Sequence, residues 1–314
     1  MKLVVLVVLL AALAFGLAAC VHSALYTQRV TAAHPPAGET VEVAGAAVHA
    51  IRRGTPGAEP VLFIHGASAN ANEFDWTLAP RLEAFDLILA DRPGHGYSER
   101  PAGGHALGVQ AGQMAGLLDS LSPDAPAIVV GHSFGGAVAL RLALDHPGRV
   151  KALVLIAPVS HDWGGGGQAW YNHWASTPVL GPAFSQLVPL VGPGRSAAGA
   201  VCTFHPAPMP EGYTDQSAIG LLFRPPTFRA NASDVMALRA ELSAQQGRYG
   251  ELPMPVILFS GAQDTILKPA LHAGRLAGQV ADFTLVDLPH EGHMPHHGEG
   301  EQIAAAIAGL AAPR

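Results

Sequence analysis

Short, unbroken apolar runs recur along this chain, each closed by glycine, proline or aspartate, and they limit its fold more than any other feature. They cover residues 61–64, 87–90, 127–130, 152–157, 256–259 and 283–286. A strand with one face in water alternates apolar and polar residues, whereas a strand that is apolar throughout is covered on both faces, as in a parallel sheet. Between several runs lie helix-like periods: Met114, Leu117, Leu118 and Leu121; Val138, Leu140, Leu142 and Leu144; Ile303, Ile307 and Leu310. Strands alternating with amphipathic helices predict βαβ units, hence an α/β fold with a mostly parallel, doubly wound sheet. Ahead of them, Val41, Val43, Ala46, Val48 and Ala50 alternate about Gly45, which predicts an opening hairpin.

With 49% hydrophobic and 13% charged residues in 314, the chain is not intrinsically disordered. A net charge of −6, only 18 Lys and Arg, and no basic run exclude a nucleic-acid partner, whose phosphates need a clustered positive face. Two cysteines, Cys20 and Cys202, make neither a disulfide framework nor a zinc site. Cys202 is expected to be a small buried hydrophobe.

The N-terminus departs from the rest. After Lys2, residues 3–21 carry no charge or strong polar group. As a helix this run reaches about 28 Å, close to the thickness of a bilayer's hydrocarbon core. It also has the parts of a secretory signal, and Leu17-Ala18-Ala19-Cys20 resembles a bacterial lipobox with a lipidated cysteine. An uncleaved anchor and a cleaved lipoprotein both attach the chain to a membrane through residues 1–21, with the remainder outside the cytoplasm if Lys2 stays inside. Cleavage to a free secreted protein is the third outcome. Residues 22–39, with Pro35-Pro36, read as a tether.

The alternation of strands and helices breaks between residues 161 and 252, where Gly164 to Gly167, many prolines and ten aromatics fall. This stretch is expected to be an inserted, mostly helical subdomain whose aromatics chiefly form its own core. The organisation is then 40–160 and 253–314 as two parts of one core, with 161–252 between them.

Directly after the run at 127–130 comes Gly131-His132-Ser133-Phe134-Gly135-Gly136, followed by a helical pattern. Gly-x-Ser-x-Gly between strand and helix is the context in which a tight turn lifts a serine above the sheet edge as a nucleophile. A serine hydroxyl needs a base, and the base an orienting acid. Asp264 follows the run at 256–259, and His293 sits in Glu291-Gly292-His293 beyond the run at 283–286. Strand ends on one sheet edge lie close in space, so the three can converge. Asp162, just after the run at 152–157, is the other position for the acid.

On these motifs the chain resembles the α/β-hydrolase superfamily over about residues 40–160 and 253–314, with 161–252 where that family inserts its cap. The resemblance implies Ser133 as nucleophile, His293 as general base and acid, and Asp264 as the group fixing the imidazole tautomer. His65-Gly66 resembles the family's oxyanion loop, which implies the backbone N–H groups of Ala67 and Phe134 as the oxyanion hole. Asp91 to Ser98 resembles the family's D-x-x-G-x-G-x-S segment, to which a structural role falls.

The implied function is a serine hydrolase of carboxylic esters or related acyl compounds, working through an acyl-enzyme on Ser133. Lactonase, thioesterase, carbon–carbon hydrolase, aminopeptidase and perhydrolase chemistry share the fold. A membrane-tethered binding protein without turnover would have a broken triad or oxyanion loop, and neither is seen. No cofactor is expected and no metal: His290, His293, His296 and His297 lack the Cys or carboxylate spacing of a zinc site. The expected partner is a small molecule with an apolar acyl group.

Overall fold

The computed structural model describes residues 1–166 and 168–311. Its sheet has eight strands: β1 Glu39–Val43, β2 Ala46–Gly54, β3 Pro60–Ile64, β4 Asp86–Ala90, β5 Ala127–His132, β6 Val150–Ile156, β7 Val256–Gly261 and β8 Phe283–Leu288. They lie in the order β1-β2-β4-β3-β5-β6-β7-β8. The hairpin β1–β2 is antiparallel and joins β4 antiparallel, while β4 through β8 run parallel. This is the doubly wound α/β sheet that the apolar runs predict.

Numbering only helices of eight residues or more, α1 is Lys2–Ala33, α2 Leu107–Leu121, α3 Phe134–Asp145, α4 Pro193–Phe204, α5 Pro225–Gln245, α6 Pro269–Ala277 and α7 Gly300–Ala311. Side chains of a strand point alternately to its two faces. Thus Leu62 and Ile64 of β3 pack with Leu117 of α2 and Leu140 of α3, whereas Val61 and Phe63 pack with Phe74 and with Ile303 of α7. Both faces of β3 are apolar because both are covered.

Between β6 and β7 the chain leaves the sheet. It forms short helices at Trp170–Ser176, Gly181–Ser185 and Val188–Val191, then α4, a helical turn at Tyr213–Gln216, a 3₁₀ turn at Ile219–Phe223, and α5. We call this segment the cap.

The N-terminal segment differs from the expectation in one respect. Residues 22–33, read as tether, continue α1 without a break and pack on the cap. The Tyr26 hydroxyl donates to the Gly220 carbonyl at 2.9 Å, and Val30 is buried with Ala218 and Leu221. No helix breaker occurs before Pro35, so an apolar-to-mixed helix extends until the prolines stop it. Among the described residues α1 is the one helix long and apolar enough to cross a membrane.

Candidate active site

β5 ends at His132 and α3 starts at Phe134, so the chain turns from strand to helix on Ser133 alone, with φ 51° and ψ −116°. Such a backbone costs about 1–3 kcal/mol in a residue with a side chain and persists only where surroundings fix it. Here the Ser133 N–H donates to the Ile156 carbonyl at 3.0 Å, and its own carbonyl accepts the N–H groups of Gly136 and Val159, both at 3.0 Å. The turn needs glycine beside it because a side chain on Gly135 would collide with the Ile64 carbonyl.

The Ser133 hydroxyl lies 3.0 Å from Nε2 of His293, and Nδ1 of His293 lies 2.7 Å from Oδ2 of Asp264. A carboxylate can only accept, so Nδ1 carries the proton and Nε2 offers its lone pair to the serine. Asp264 is itself held, its Oδ1 accepting the N–H groups of Ile266 at 2.8 Å and Leu267 at 2.9 Å. His132 donates from Nε2 to the His293 carbonyl at 2.9 Å, fixing the loop that carries the imidazole. A serine so placed can pass its proton to the imidazole as it attacks a carbonyl carbon. Asp162 is engaged elsewhere, accepting from Arg239 at 2.8 Å and Ser243 at 2.9 Å.

Ala67 lies beside Ser133 on the wall of the same cavity, and Phe134 follows Ser133 directly. Neither backbone N–H donates to a protein group among the described residues. The loop bearing Ala67 is held by Arg92, which sequence reasoning left within a structural segment. Fully buried, Arg92 donates to the carbonyls of His65 at 3.1 Å and Gly66 at 3.2 Å, and its guanidinium lies 4.2 Å from the centre of the Phe134 ring. It therefore touches the residues on both sides of the would-be oxyanion site. His65 donates from Nδ1 to the Gly66 carbonyl and accepts the Arg92 N–H on Nε2. Burial and the neighbouring Arg92 push its pKa down to about 3, so it is neutral.

Two cap residues one helical turn apart on α5 reach the same loop region. Asn231 accepts the Ser68 N–H at 2.7 Å, and Asp234 pairs with Arg92 at 2.7 Å and with Arg100 at 2.6 Å. Neither was singled out from sequence, where polar residues in a helix without an apolar stripe carry no signal of which face is buried. Asp91 holds the segment after β4 together, accepting from His49 at 2.7 Å, Ala71 N–H at 2.8 Å and Tyr97 N–H at 2.9 Å.

Ser133 and His293 open onto a cavity of about 520 Å³. Six of the cap's ten aromatics line it, namely Trp170, Tyr171, Phe184, Tyr213, Phe223 and Phe228. Tyr213, Phe223 and Phe228 are at the same time buried in the cap's own packing, whereas Trp170 and Tyr171 stay exposed at the cavity's rim. Cys202 is exposed rather than buried, since it lies on the outer face of α4 while Ala200 and Phe204 face inward.

A second polar cluster lies at one side of this cavity. Glu73 is buried and accepts from Nε2 of His296 at 2.9 Å, Nε2 of His297 at 2.7 Å and the Tyr213 hydroxyl at 3.0 Å. One ligand atom from each of Glu73, His296 and His297 lies within 4.8 Å of the others, a set whose composition fits a metal, although each is engaged with another here. Burial alone would raise the Glu73 carboxyl; the two imidazole donors hold it well below the usual carboxylate range. Burial pushes His296 down to about 4, so the neutral imidazole donates to an ionised Glu73. Glu73 was missed because its partners lie between 140 and 224 positions away.

Residues 59–191 match the family model described as the alpha/beta hydrolase fold. The lipase LipV of Mycobacterium tuberculosis is 30% identical over 279 residues, covering 85% of this chain and 98% of that protein. A dihydrolipoyllysine-residue acetyltransferase component of the acetoin cleaving system of Cupriavidus necator is 42% identical over 118 residues; the match spans 38% of this chain and only 31% of that protein. The crystal structure of an enol-lactonase from Burkholderia xenovorans superimposes with a TM-score of 0.68 at 20% identity, covering 87% of this chain and 99% of the other. With a mostly parallel eight-stranded sheet and a lipase matched over nearly its whole length, the chain belongs to the alpha/beta hydrolase family.

Proposed function

We propose that this hydrolase cleaves carboxylic esters with an apolar acyl group, through an acyl-enzyme on Ser133. The observation that carries the reading is the Ser133–His293–Asp264 relay, at 3.0 and 2.7 Å, opening onto a cavity with six aromatic side chains in its wall. Ser133 attacks the carbonyl carbon as its proton passes to Nε2 of His293. The oxygen that gains the negative charge is met by the Ala67 and Phe134 N–H groups, each such donor being worth about 10²–10³ in rate. Collapse expels the alcohol, which takes the proton from His293. Water then attacks the acyl-enzyme, giving its proton to His293, and Ser133 recovers that proton as the acid leaves. The apolar wall favours ester and acyl chains of some length over small polar substrates.

Membrane attachment through residues 1–21, with the catalytic part outside the cytoplasm, belongs to the same proposal. Fluorophosphonate labelling, with p-nitrophenyl esters of increasing chain length, tests the chemistry. Labelling and turnover are expected in the parent and absent in Ser133→Ala; a label retained in that variant overturns the nucleophile. For the attachment, mass spectrometry of the membrane-extracted protein is expected to find an intact Met1 or a diacylglyceryl-modified Cys20, and a soluble chain without either overturns it.

A further inference from the structure

Both modes of attachment put the bilayer boundary at the same point of the fold. An apolar span of residues 3–21 ends at Val21, and a lipidated Cys20 would carry its acyl chains one residue earlier. Cys20 is exposed, and the next residue but one, His22, lies 3.4 Å from the Pro189 carbonyl through Nε2. The boundary is thus pinned to the short helix Val188–Val191 of the cap.

That corner is apolar and uncovered. Trp170, Trp174, Val179, Leu180, Leu190 and Val191 are between 44% and 83% exposed. They fall on the first and third of the three short cap helices, Trp170–Ser176 and Val188–Val191, and on the turn that follows the first. Trp170 and Trp174 are one helical turn apart, and the Trp170 ring is 6.1 Å from Phe184 of the next helix. Soluble monomers seldom leave so many large apolar groups together in water. Tryptophan with aliphatic neighbours is the composition that settles at a membrane–water interface. Trp170 and Val191 also line the catalytic cavity, so the exposed face and the site share a wall.

We propose that this cap face rests in the bilayer interface, held there by α1, and that the site takes its acyl substrate from the lipid phase through the Trp170–Val191 side of the cavity. The substrate half of this inference rests on the acyl hydrolysis proposed above; the docking half does not.

The full chain reconstituted in phosphatidylcholine–phosphatidylglycerol vesicles tests both halves. Doxyl-labelled phosphatidylcholine is expected to quench the tryptophan fluorescence, and the quenchable part is expected to vanish in Trp170→Phe/Trp174→Phe, which leaves Trp76 and Trp163. Val179→Asp/Leu190→Asp, at positions outside the cavity, is expected to slow hydrolysis of p-nitrophenyl palmitate carried in the vesicles by roughly tenfold while leaving soluble p-nitrophenyl acetate unaffected. Unquenched tryptophans overturn the docking, as does a crosslinked dimer that buries the face. Equal loss on both esters overturns the lipid route. Fluorophosphonate labelling reports separately on Ser133, so failure of the hydrolase reading is distinguishable from failure of the docking.

Discussion

Arg92 and Asp234 form an ion pair 2.7 Å long in which both side chains are completely buried. Arg92 comes from the loop after β4 and Asp234 from cap helix α5, so the pair ties cap to core directly behind the loop that carries Ala67. Arg92 spends its remaining donors on Gln110, on Nε2 of His95 and on the carbonyls of His65 and Gly66. The cap is therefore a roof over the cavity and a brace for the loop at once.

Asp234→Asn leaves the buried guanidinium without its counter-charge and is expected to destabilise the fold by about 3 kcal/mol. Denaturant unfolding reads that loss. Replacing the pair together, as Arg92→Met/Asp234→Leu, is expected to restore most of the stability, because well-packed apolar groups often match a buried ion pair. The double variant should nonetheless show kcat about tenfold down with KM little changed, since the His65 and Gly66 carbonyls have lost the donor that aims the loop. Recovery of kcat along with stability would reduce Arg92 to a packing role.

Six histidines have pKa values lowered chiefly by burial: His65 to about 3, His272 and His296 to about 4, His95 and His132 well below the ordinary imidazole value, and His161 below it. Each stays neutral in the fold at a pH where the unfolded chain has bound a proton. The unfolded state then holds more protons, so stability falls as pH drops from about 6.5, by at most about 2 kcal/mol per fully buried histidine at pH 5. His49 has the opposite sign. Its burial is outweighed by Asp91, its pKa is raised, and its contribution is present at low pH and lost as pH rises through the folded value. Six against one predicts a melting temperature clearly lower at pH 5 than at pH 7.5. A flat or inverted profile would mean that these imidazoles are protonated in the fold.

The parts of the molecule legible in the sequence were those set by local chemistry. Strands β3 to β7 were readable because each carries a short buried apolar run closed by a turn residue, whereas β8, at the sheet edge, carries Thr284 and Asp287 and stays largely exposed instead of covered on both faces. The turn at Ser133 was readable because tight geometry demands glycine on both sides. His293 and Asp264 were readable from their places after strands, since parallel strands bring their ends to one edge. Partnerships across long separations were not. Nothing near Asp234 marks it as the partner of Arg92, nor does Glu73 announce His296 and His297. The helix after Val21 was hidden for another reason: its polar residues resemble those of a linker until the cap that buries Ser23 and Val30 is present.

Glu73 serves three donors, so its variants separate charge from hydrogen bonding. Glu73→Gln keeps an oxygen for His296 and His297, lets the Tyr213 hydroxyl turn to accept, and is expected to cost about 1 kcal/mol. Glu73→Leu strands all three donors in a buried place and is expected to cost about 3 kcal/mol or more. Because Glu73 already takes Nε2 of both histidines, dialysis against EDTA is expected to leave ester turnover unchanged. Activity lost to the chelator and returned by zinc would instead make this cluster a metal centre.

Asp264 and Asp162 were the two positions open to the acid, and the geometry gives them opposite expectations. In Asp264→Asn the oxygen can still accept from Ile266 and Leu267, so the loop keeps its shape. The amide N–H₂ then faces Nδ1 of His293, which must become the acceptor, and the ring proton moves to Nε2. Ser133 is left facing a donor in place of a base, and kcat is expected to fall by about 10³–10⁴-fold with little change in melting temperature. Asp162→Asn loosens a half-buried pair with Arg239, 2.8 Å long and not in contact with the imidazole, and should leave kcat within about twofold. Stopped-flow turnover of a p-nitrophenyl ester by the two variants decides between them, and the reverse ranking would move the acid to the end of β6.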